Sequence, residues 1–325
     1  MEKDPSTTKH DTPAIINRTL NHDANGPPRQ QPWNYCAAIG SLLYLLFTTR
    51  IDLAYSVHQR AQSSADSKRI HKTAVKRAYR CLLATKDCKK DKGSILHPDF
   101  GKGFECYEDA DFAELWQSED ANSITSALAW SKHIFTYARC PIVWSSKMQT
   151  LFALSTTEAK VIALSTIMRE VITMMNLLNK LINRGFPISH AKPTIKCRVF
   201  ENNAAATEIA KNPKMRPWTK HLGIRIHNFR DYVIDGLVDI IYVPTSDPLA
   251  DALTKAALPR DKFRYLVQQV MGWRHRFARE CDIIGLWGIC HIHYPILTAA
   301  GVPWPSVSCL RVKAPTGANI PKLLT

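Results

Sequence analysis

Residues 103–112 read Gly-Phe-Glu-Cys-Tyr-Glu-Asp-Ala-Asp-Phe and carry the strongest strand signal in the chain. Within it, residues 104–112 form the first β-strand candidate in this part of the chain. Side chains alternate between the two faces of a strand, so Asp109 and Asp111 lie on one face near its end. Burying two carboxylates on one face is costly without a cation, so a divalent metal site is one interpretation. An exposed strand end without a ligand is the other.

A mixed series of strands and helices follows this first strand. Further strands are predicted at 134–137, 141–145, 194–200 and 237–243, and helices at 155–183, 204–211 and 221–235. The longest helix has apolar residues at 161, 164, 168, 171, 175, 178 and 182, which is the spacing of a buried helix face. Three strands, a helix and then alternating strands and helices predict a mixed α/β domain.

Three more places in this region carry acidic residues at the ends of predicted elements. Ser155 and Glu158 match a capping box at the start of the long helix, although a carboxylate there could also face a neighbouring strand. The fourth strand ends at residues 201–203, Glu-Asn-Asn. Asp247 could cap a helix that carries Asp251 in its first turn. Each signal is weak alone, but the order of the four is far more specific.

The first hundred residues have a different character. Residues 1–32 are polar and rich in proline, which predicts a disordered arm. Between 68 and 92 there are ten basic and two acidic residues, a local net charge of 10 − 2 = +8. Four of the basic residues recur at spacings of three and four and so share one side of a helix: Arg69, Lys72, Lys76 and Arg80. That side is either a solvated face or a surface that follows a phosphate backbone.

Composition narrows the classes of protein and partner. The chain has 325 residues, 45% of them apolar, and a net charge of 43 − 28 = +15. This balance excludes a wholly disordered tail, a collagen-like fibre and a polytopic membrane protein. The positive charge favours a polyanionic partner, most often nucleic acid. Nine cysteines without a CxxC pair, together with no secretory signal, predict an intracellular protein, cytoplasmic or nuclear and not secreted.

The C-terminal stretch leaves alternatives open. Residues 283–310 carry no Asp, Glu, Lys or Arg, so a membrane-spanning helix is one interpretation. Three prolines and two histidines in the same stretch argue against it, and no membrane partner is expected. The Cys-His-Ile-His run at 290–293 could bind metal but lacks a partner cluster. Residues 274–325 therefore stay an unassigned tail.

Seven short blocks in a fixed order carry a family resemblance. They are Ile-Gly-Ser-Leu-Leu-Tyr-Leu at 39–45, Thr-Arg-Ile-Asp-Leu-Ala-Tyr at 49–55, Tyr-Glu-Asp-Ala-Asp-Phe at 107–112, Trp-Ser-Ser-Lys at 144–147, Ala-Leu-Ser-Thr-Thr-Glu-Ala at 153–159, Thr-Lys-His at 219–221 and Ala-Asp-Ala-Leu-Thr-Lys at 250–255. With these blocks, the stretch from Trp33 to Trp273 resembles the C-terminal part of a copia-type retrotransposon Pol polyprotein, in a degenerate form.

The resemblance implies a domain order and a fold. It implies a small, mainly helical reverse-transcriptase connection segment over 33–100, followed by a ribonuclease H domain over 101–273. The expected fold of that domain is α/β, a ribonuclease H-like mixed five-stranded sheet with flanking helices. No YxDD-type polymerase hairpin is present, so DNA synthesis by this chain alone is not expected. The rest of a retrotransposon polyprotein is an expected partner.

The resemblance also implies an activity and a set of site residues. Such domains cut the RNA of an RNA–DNA hybrid with two Mg²⁺ ions, or Mn²⁺, held by four carboxylates. Matched by position, Asp109, Glu158 and Asp251 are expected metal ligands and catalytic residues. His221 lies in the Thr-Lys-His block, where a catalytic role and a merely structural histidine are both open.

The sequence departs from the family pattern at the fourth ligand. Asn202 stands where the family has a catalytic Asp, and a neutral amide weakens Mg²⁺ binding. Glu201 is expected to point to the opposite strand face and so not to replace it. The usual Glu-Ala-Glu-Tyr block reads Glu158-Ala159-Lys160-Val161. Two hypotheses follow: a ribonuclease H-type hydrolase with doubtful activity, or a catalytically inactive nucleic-acid-binding remnant.

Overall fold

The structure is a computed structural model, and it describes residues 12–15, 20, 23, 25–28, 34–86, 94–112, 124–186, 188, 194–212, 220–244, 260–272 and 310–311. The chain divides into two compact units. The first comprises Met1–Leu96, Lys255–Leu286 and Leu310–Thr325, and the second comprises His97–Thr254 and Trp287–Cys309.

The helices and strands are as follows. The α-helices are α1 (Tyr35–Thr48), α2 (Ala54–Ala61), α3 (Arg69–Lys86), α4 (Thr156–Asn183), α5 (Ala204–Lys211), α6 (Lys220–His227), α7 (Arg230–Ile234) and α8 (Arg260–Met271). The strands are β1 (Ile95–Leu96), β2 (Phe104–Ala110), β3 (Trp130–Tyr137), β4 (Cys140–Met148), β5 (Cys197–Glu201), β6 (Val238–Tyr242) and β7 (Leu310–Arg311).

The first unit is mainly helical. Asn34 caps α1 by accepting a hydrogen bond from the Ala37 amide at 2.9 Å, which satisfies one of the free amides of the first turn. Helix α3 buries Val75 and Ala78, which lie on a different side of the helix from the basic residues. Helix α8 groups with this unit, although its sequence lies within the stretch expected to form the ribonuclease H domain. Strands β1 and β7 pair antiparallel beside these helices.

Part of the predicted disordered arm packs against the first unit. The Arg60 guanidinium is buried and donates to the Pro13 carbonyl oxygen at 2.9 Å. Arg77 donates to the Thr12 hydroxyl at 3.0 Å. Burial lowers the pKa of Arg60 to about 10, because the charged form loses hydration. The Pro13 carbonyl thus accepts one hydrogen bond of this buried cation, and the Ser56 carbonyl accepts another.

The second unit is built on a five-stranded sheet in the order β4-β3-β2-β5-β6. Strands β2, β3 and β4 run antiparallel, whereas β5 pairs parallel with both β2 and β6. This is the mixed five-stranded α/β sheet with flanking helices that the family resemblance implied, and the fold prediction is confirmed. The β3–β4 hairpin turns at Ala138 and Arg139, whose positive φ angles of 49° and 65° suit a two-residue turn.

Helix α4 forms the centre of the second core. The apolar positions predicted to face inward are buried or nearly so, and they include Val161, Leu164, Met168 and Val171. They pack with residues of the sheet such as Cys106 and Val199 in one core cluster. By length and composition α4 could also cross a membrane, but half of its most apolar window is buried inside the protein.

The helix predicted over 221–235 is divided into α6 and α7. The break lies at Phe229, which is fully buried in the core cluster. Phe229 is buried together with Leu222 and Ile226, which precede it by seven and three residues, the spacing of one helix face. The buried pattern therefore continues across the break, and burial of the Phe229 side chain stabilises the core by about 1.5–3 kcal/mol.

Candidate functional site

Two of the predicted site residues meet at one edge of the sheet. Asp109 is the penultimate residue of β2, and Asn202 directly follows β5. Because β2 and β5 are parallel neighbours, their carboxyl ends lie side by side. The Asn202 amide Nδ2 donates to Asp109 Oδ1 at 3.2 Å. The structure therefore brings the first expected ligand and the substituted position into direct contact.

A lysine that was not predicted as a site residue contacts both of these side chains. Lys160, in the second turn of α4, places its Nζ 2.5 Å from Asp109 Oδ1 and also hydrogen-bonds to Asn202 Oδ1. The Lys160 and Asp109 side chains are 8% and 6% exposed. Lys160 stands at the second Glu of the usual Glu-Ala-Glu-Tyr block. That substitution is the one feature of the sequence that could have indicated a lysine in the site.

Glu158 makes different contacts from those expected of a metal ligand. Residues two apart on a helix are separated by about 200°, so Glu158 and Lys160 leave α4 on different sides. Ser155 Oγ accepts from the Glu158 amide at 3.1 Å, and Glu158 Oε2 accepts from the Leu154 amide at 2.8 Å. The capping interpretation of these residues is thereby confirmed.

His221 lies beside Glu158. Its Nε2 is 3.3 Å from Glu158 Oε1, and its side chain is 58% exposed. The carboxylate of Glu158 therefore accepts a backbone hydrogen bond with one oxygen and faces an imidazole with the other. This pair is at the N-terminal end of α4 and the start of α6, and the catalytic role suggested for His221 stays a prediction.

Glu201 approaches Lys160 as well. The carboxylate is fully buried, and its Oε1 lies 3.7 Å from Lys160 Nζ and accepts from the Asn203 amide at 2.7 Å. Strand alternation predicted that Glu201 would point away from Asn202. Because β5 ends at Glu201 and the chain turns into the cap of α5, both side chains instead reach the same ammonium group. Burial raises the pKa of Glu201 to about 8, although hydrogen bonds from the Asn203 and Asn202 backbone amides act in the opposite direction.

Asp111 does not join Asp109 in a shared site. Asp111 Oδ1 accepts from the Trp130 amide at 2.5 Å, and Oδ2 lies 3.6 Å from the Nζ of the fully buried Lys132. These contacts tie the chain beyond β2 to the start of β3. The second acid of the Asp-Ala-Asp motif has a structural partner, and the two carboxylates are neutralised by two different lysines.

The described residues of this site do not fit a pair of Mg²⁺ ions. Mg²⁺ binds carboxylate oxygens at about 2.1 Å, and the space next to Asp109 Oδ1 contains the Lys160 ammonium group. Among the residues that the structure describes, no three His, Cys, Asp or Glu side chains are gathered as a metal site. The remaining expected ligand, Asp251, lies outside the described residues, as does Asp247.

The basic residues predicted to bind nucleic acid are on α3 of the first unit. Arg69 is exposed, and Lys72, Lys76 and Arg80 are partly exposed along the same helix. Buried Val75 and Ala78 fix the opposite side of the helix to its neighbours. The positive side chains therefore form a row at the surface of that unit, which we call the basic row of α3.

Known proteins similar to this chain are transposon polyproteins. The retrovirus-related Pol polyprotein from transposon TNT 1-94 of Nicotiana tabacum is 33% identical over 241 residues, 73% of this chain and 16% of that protein. The corresponding polyprotein from transposon RE2 of Arabidopsis thaliana is 32% identical over 231 residues, 71% of this chain and 14% of that protein. This chain thus spans about a sixth of the curated relatives that it matches. No family model matches it.

The chain is also similar to a solved structure, at a much lower sequence identity. A ribonuclease H1 isolated from compost aligns with 53% of this chain and 97% of its own, at 10% identity and a TM-score of 0.32.

Proposed function

Since the chain is related to a segment of copia-type retrovirus-related Pol polyproteins, we propose that it is a ribonuclease H-like module that binds nucleic acid without cutting it. The expected ligand is an RNA–DNA hybrid, the substrate implied by the family resemblance. The competing hypothesis is hydrolysis of that hybrid with two Mg²⁺ or Mn²⁺ ions. The two hypotheses share the fold and the partner but differ in whether the site accepts metal.

The contact of Lys160 with Asp109 and Asn202 distinguishes between the two hypotheses. Hydrolysis by two ions needs several carboxylates arranged around the metals. Here one carboxylate is paired with an ammonium at 2.5 Å, and the neighbouring position is a neutral amide. A positive charge at this distance opposes the entry of a second cation. The arrangement therefore favours the non-catalytic function.

The basic row of α3 supports the binding part of the proposal. Phosphate contacts from Lys and Arg provide affinity that is independent of base sequence and depends on salt. The net charge of +15 would add a general attraction for a polyanion. The rest of a retrotransposon polyprotein remains a proposed partner, since this chain covers only about a sixth of its relatives.

Replacing Lys72, Lys76 and Arg80 together with Ala should weaken hybrid binding. Each lost phosphate contact removes about one released counterion, so the plot of log affinity against log salt should flatten by about three units. Fluorescence anisotropy of a labelled RNA–DNA hybrid, titrated with the whole protein at several salt concentrations, measures both effects.

The matched control replaces three exposed basic residues of the second unit, Lys180, Arg184 and Lys196, with Ala. This triple variant removes the same charge and should keep more of the salt slope. An equal loss of slope in both triple variants would remove the basic row of α3 from the binding surface. Cleavage of the hybrid by the unmodified protein in Mg²⁺ or Mn²⁺ would contradict the non-catalytic proposal itself.

A further inference from the structure

We propose that the Lys160 ammonium is a built-in replacement for a divalent cation, so that this centre is complete and stable without metal. The inference rests on the proposed non-catalytic function and names the residue that excludes metal. It concerns the assembly of the site and can be tested without any measurement of hydrolysis.

Three oxygen atoms surround the lysine nitrogen. Asp109 Oδ1 is at 2.5 Å, Asn202 Oδ1 is within hydrogen-bond distance, and Glu201 Oε1 is at 3.7 Å. They come from β2, from β5 and from the residue that follows β5. The ammonium donates hydrogen bonds to Asp109 and Asn202, and Glu201 adds an ion-pair contact that is too long for a hydrogen bond. The lysine thus joins the ends of two strands to α4, as a bound ion would.

Asn202 fits the lysine better than a carboxylate would. Its Oδ1 accepts from Lys160, while its Nδ2 donates to Asp109 Oδ1 at 3.2 Å. An aspartate at 202 would lose that donor and would place a second carboxylate directly against Asp109. Repulsion between carboxylates in a buried site is costly. Lys160 and Asn202 are therefore complementary, because the lysine donates to Asn202 Oδ1 and the neutral amide adds no negative charge beside Asp109.

The inference predicts that metal binding returns only when both positions are changed. The proteins to compare are the unmodified chain, Lys160→Met, Asn202→Asp and the double variant Lys160→Glu with Asn202→Asp. Arg50→Met is the matched control, because Arg50 is also a buried cation paired with a carboxylate, Asp52, at 2.7 Å, and it belongs to the first unit. The readouts are isothermal titration with Mn²⁺ alone and melting temperature with Mg²⁺ or with EDTA.

For the unmodified chain and for Asn202→Asp we expect no melting shift between Mg²⁺ and EDTA. In the single variant Lys160 still neutralises the carboxylates. The double variant should bind Mn²⁺ at least about tenfold more tightly than the unmodified chain and should melt at a higher temperature with Mg²⁺. Lys160→Met should melt at a lower temperature than the unmodified chain. Arg50→Met should show no gain in Mn²⁺ binding.

Two results would overturn the inference. One is Mn²⁺ binding by the unmodified chain as tight as that of the double variant. The other is a double variant that is folded by circular dichroism yet binds no Mn²⁺. Anisotropy with the labelled hybrid on the same proteins separates this inference from the proposed function. If the unmodified chain failed to bind hybrid while the double variant gained metal, the binding proposal would fail and the role of Lys160 would stand.

Discussion

At the scale of single residues, burial affects which groups of the site carry a charge. Glu201 is fully buried at the end of β5, and one of its oxygens, Oε2, is buried without a hydrogen-bond partner among the described residues. A buried carboxylate in that position favours the protonated form, because ionisation would place a poorly solvated charge there. Lys160, 3.7 Å away, offsets part of this cost.

Glu201 should make the protein less stable as the pH rises. Its pKa is raised from 4.5 to about 8 in the folded state, so between those values the folded protein binds more protons than the unfolded chain. The free energy of unfolding should therefore fall across that range, by at most about 1.4 kcal/mol per pH unit, and level off above it. Urea unfolding of the unmodified chain and of Glu201→Gln over this pH range measures the difference.

Glu201→Gln should show a flatter profile and greater stability at the alkaline end, since an amide does not ionise. Glu208→Gln, on an exposed position of α5, controls for the loss of a carboxylate. Parallel profiles for the unmodified chain and Glu201→Gln would assign the pH dependence to other groups.

At the scale of elements, the first two turns of α4 make two separate sets of contacts. One side contributes the Ser155 cap and Glu158, which faces His221. The other side contributes Lys160 to the strand ends. Buried apolar residues along the remaining length, from Val161 to Leu178, hold both sets in place. A change in the first turn should therefore affect stability without altering the contacts of Lys160.

Ser155→Ala should destabilise the second unit by about 1 kcal/mol, because the Glu158 amide loses its hydrogen-bond acceptor. Urea unfolding followed by far-UV circular dichroism measures this loss. Thr173→Ala is the control, since Thr173 is an exposed mid-helix hydroxyl bonded only to the Arg169 carbonyl oxygen of its own helix. A control that loses as much stability as Ser155→Ala would show that the cap contributes nothing specific.

At the scale of the whole molecule, the net charge of +15 acts on any polyanion, whatever its sequence. Hybrids of the same length but scrambled sequence should therefore bind with equal affinity within about threefold, because phosphate contacts carry no base information. Competition anisotropy at one salt concentration tests this. A preference of about tenfold or more for one sequence would require contacts to base edges instead.

The predicted fold was confirmed where apolar spacing carried the signal. The strand predicted at 134–137 begins earlier in the structure, at Trp130. The prediction began too late because residues 130–133 include the polar pair Lys132 and His133. These side chains are buried because Asp111 lies beside Lys132 and Glu170 lies 3.1 Å from His133. The His133 imidazole also lowers the pKa of Glu170. No local pattern could reveal those partners, which come from distant positions in the chain.

Apolar periodicity and short ordered blocks are local properties, so they predict the α/β class, most of the strands and helices, and the relationship to Pol polyproteins. They also put Asp109 and Asn202 at the ends of two strands. That these strands are neighbours, and that Lys160 contacts both side chains, follows from the tertiary packing. Which of two residues on a helix faces a strand depends on the rotation of that helix against the sheet, and the packing of the whole core sets that rotation.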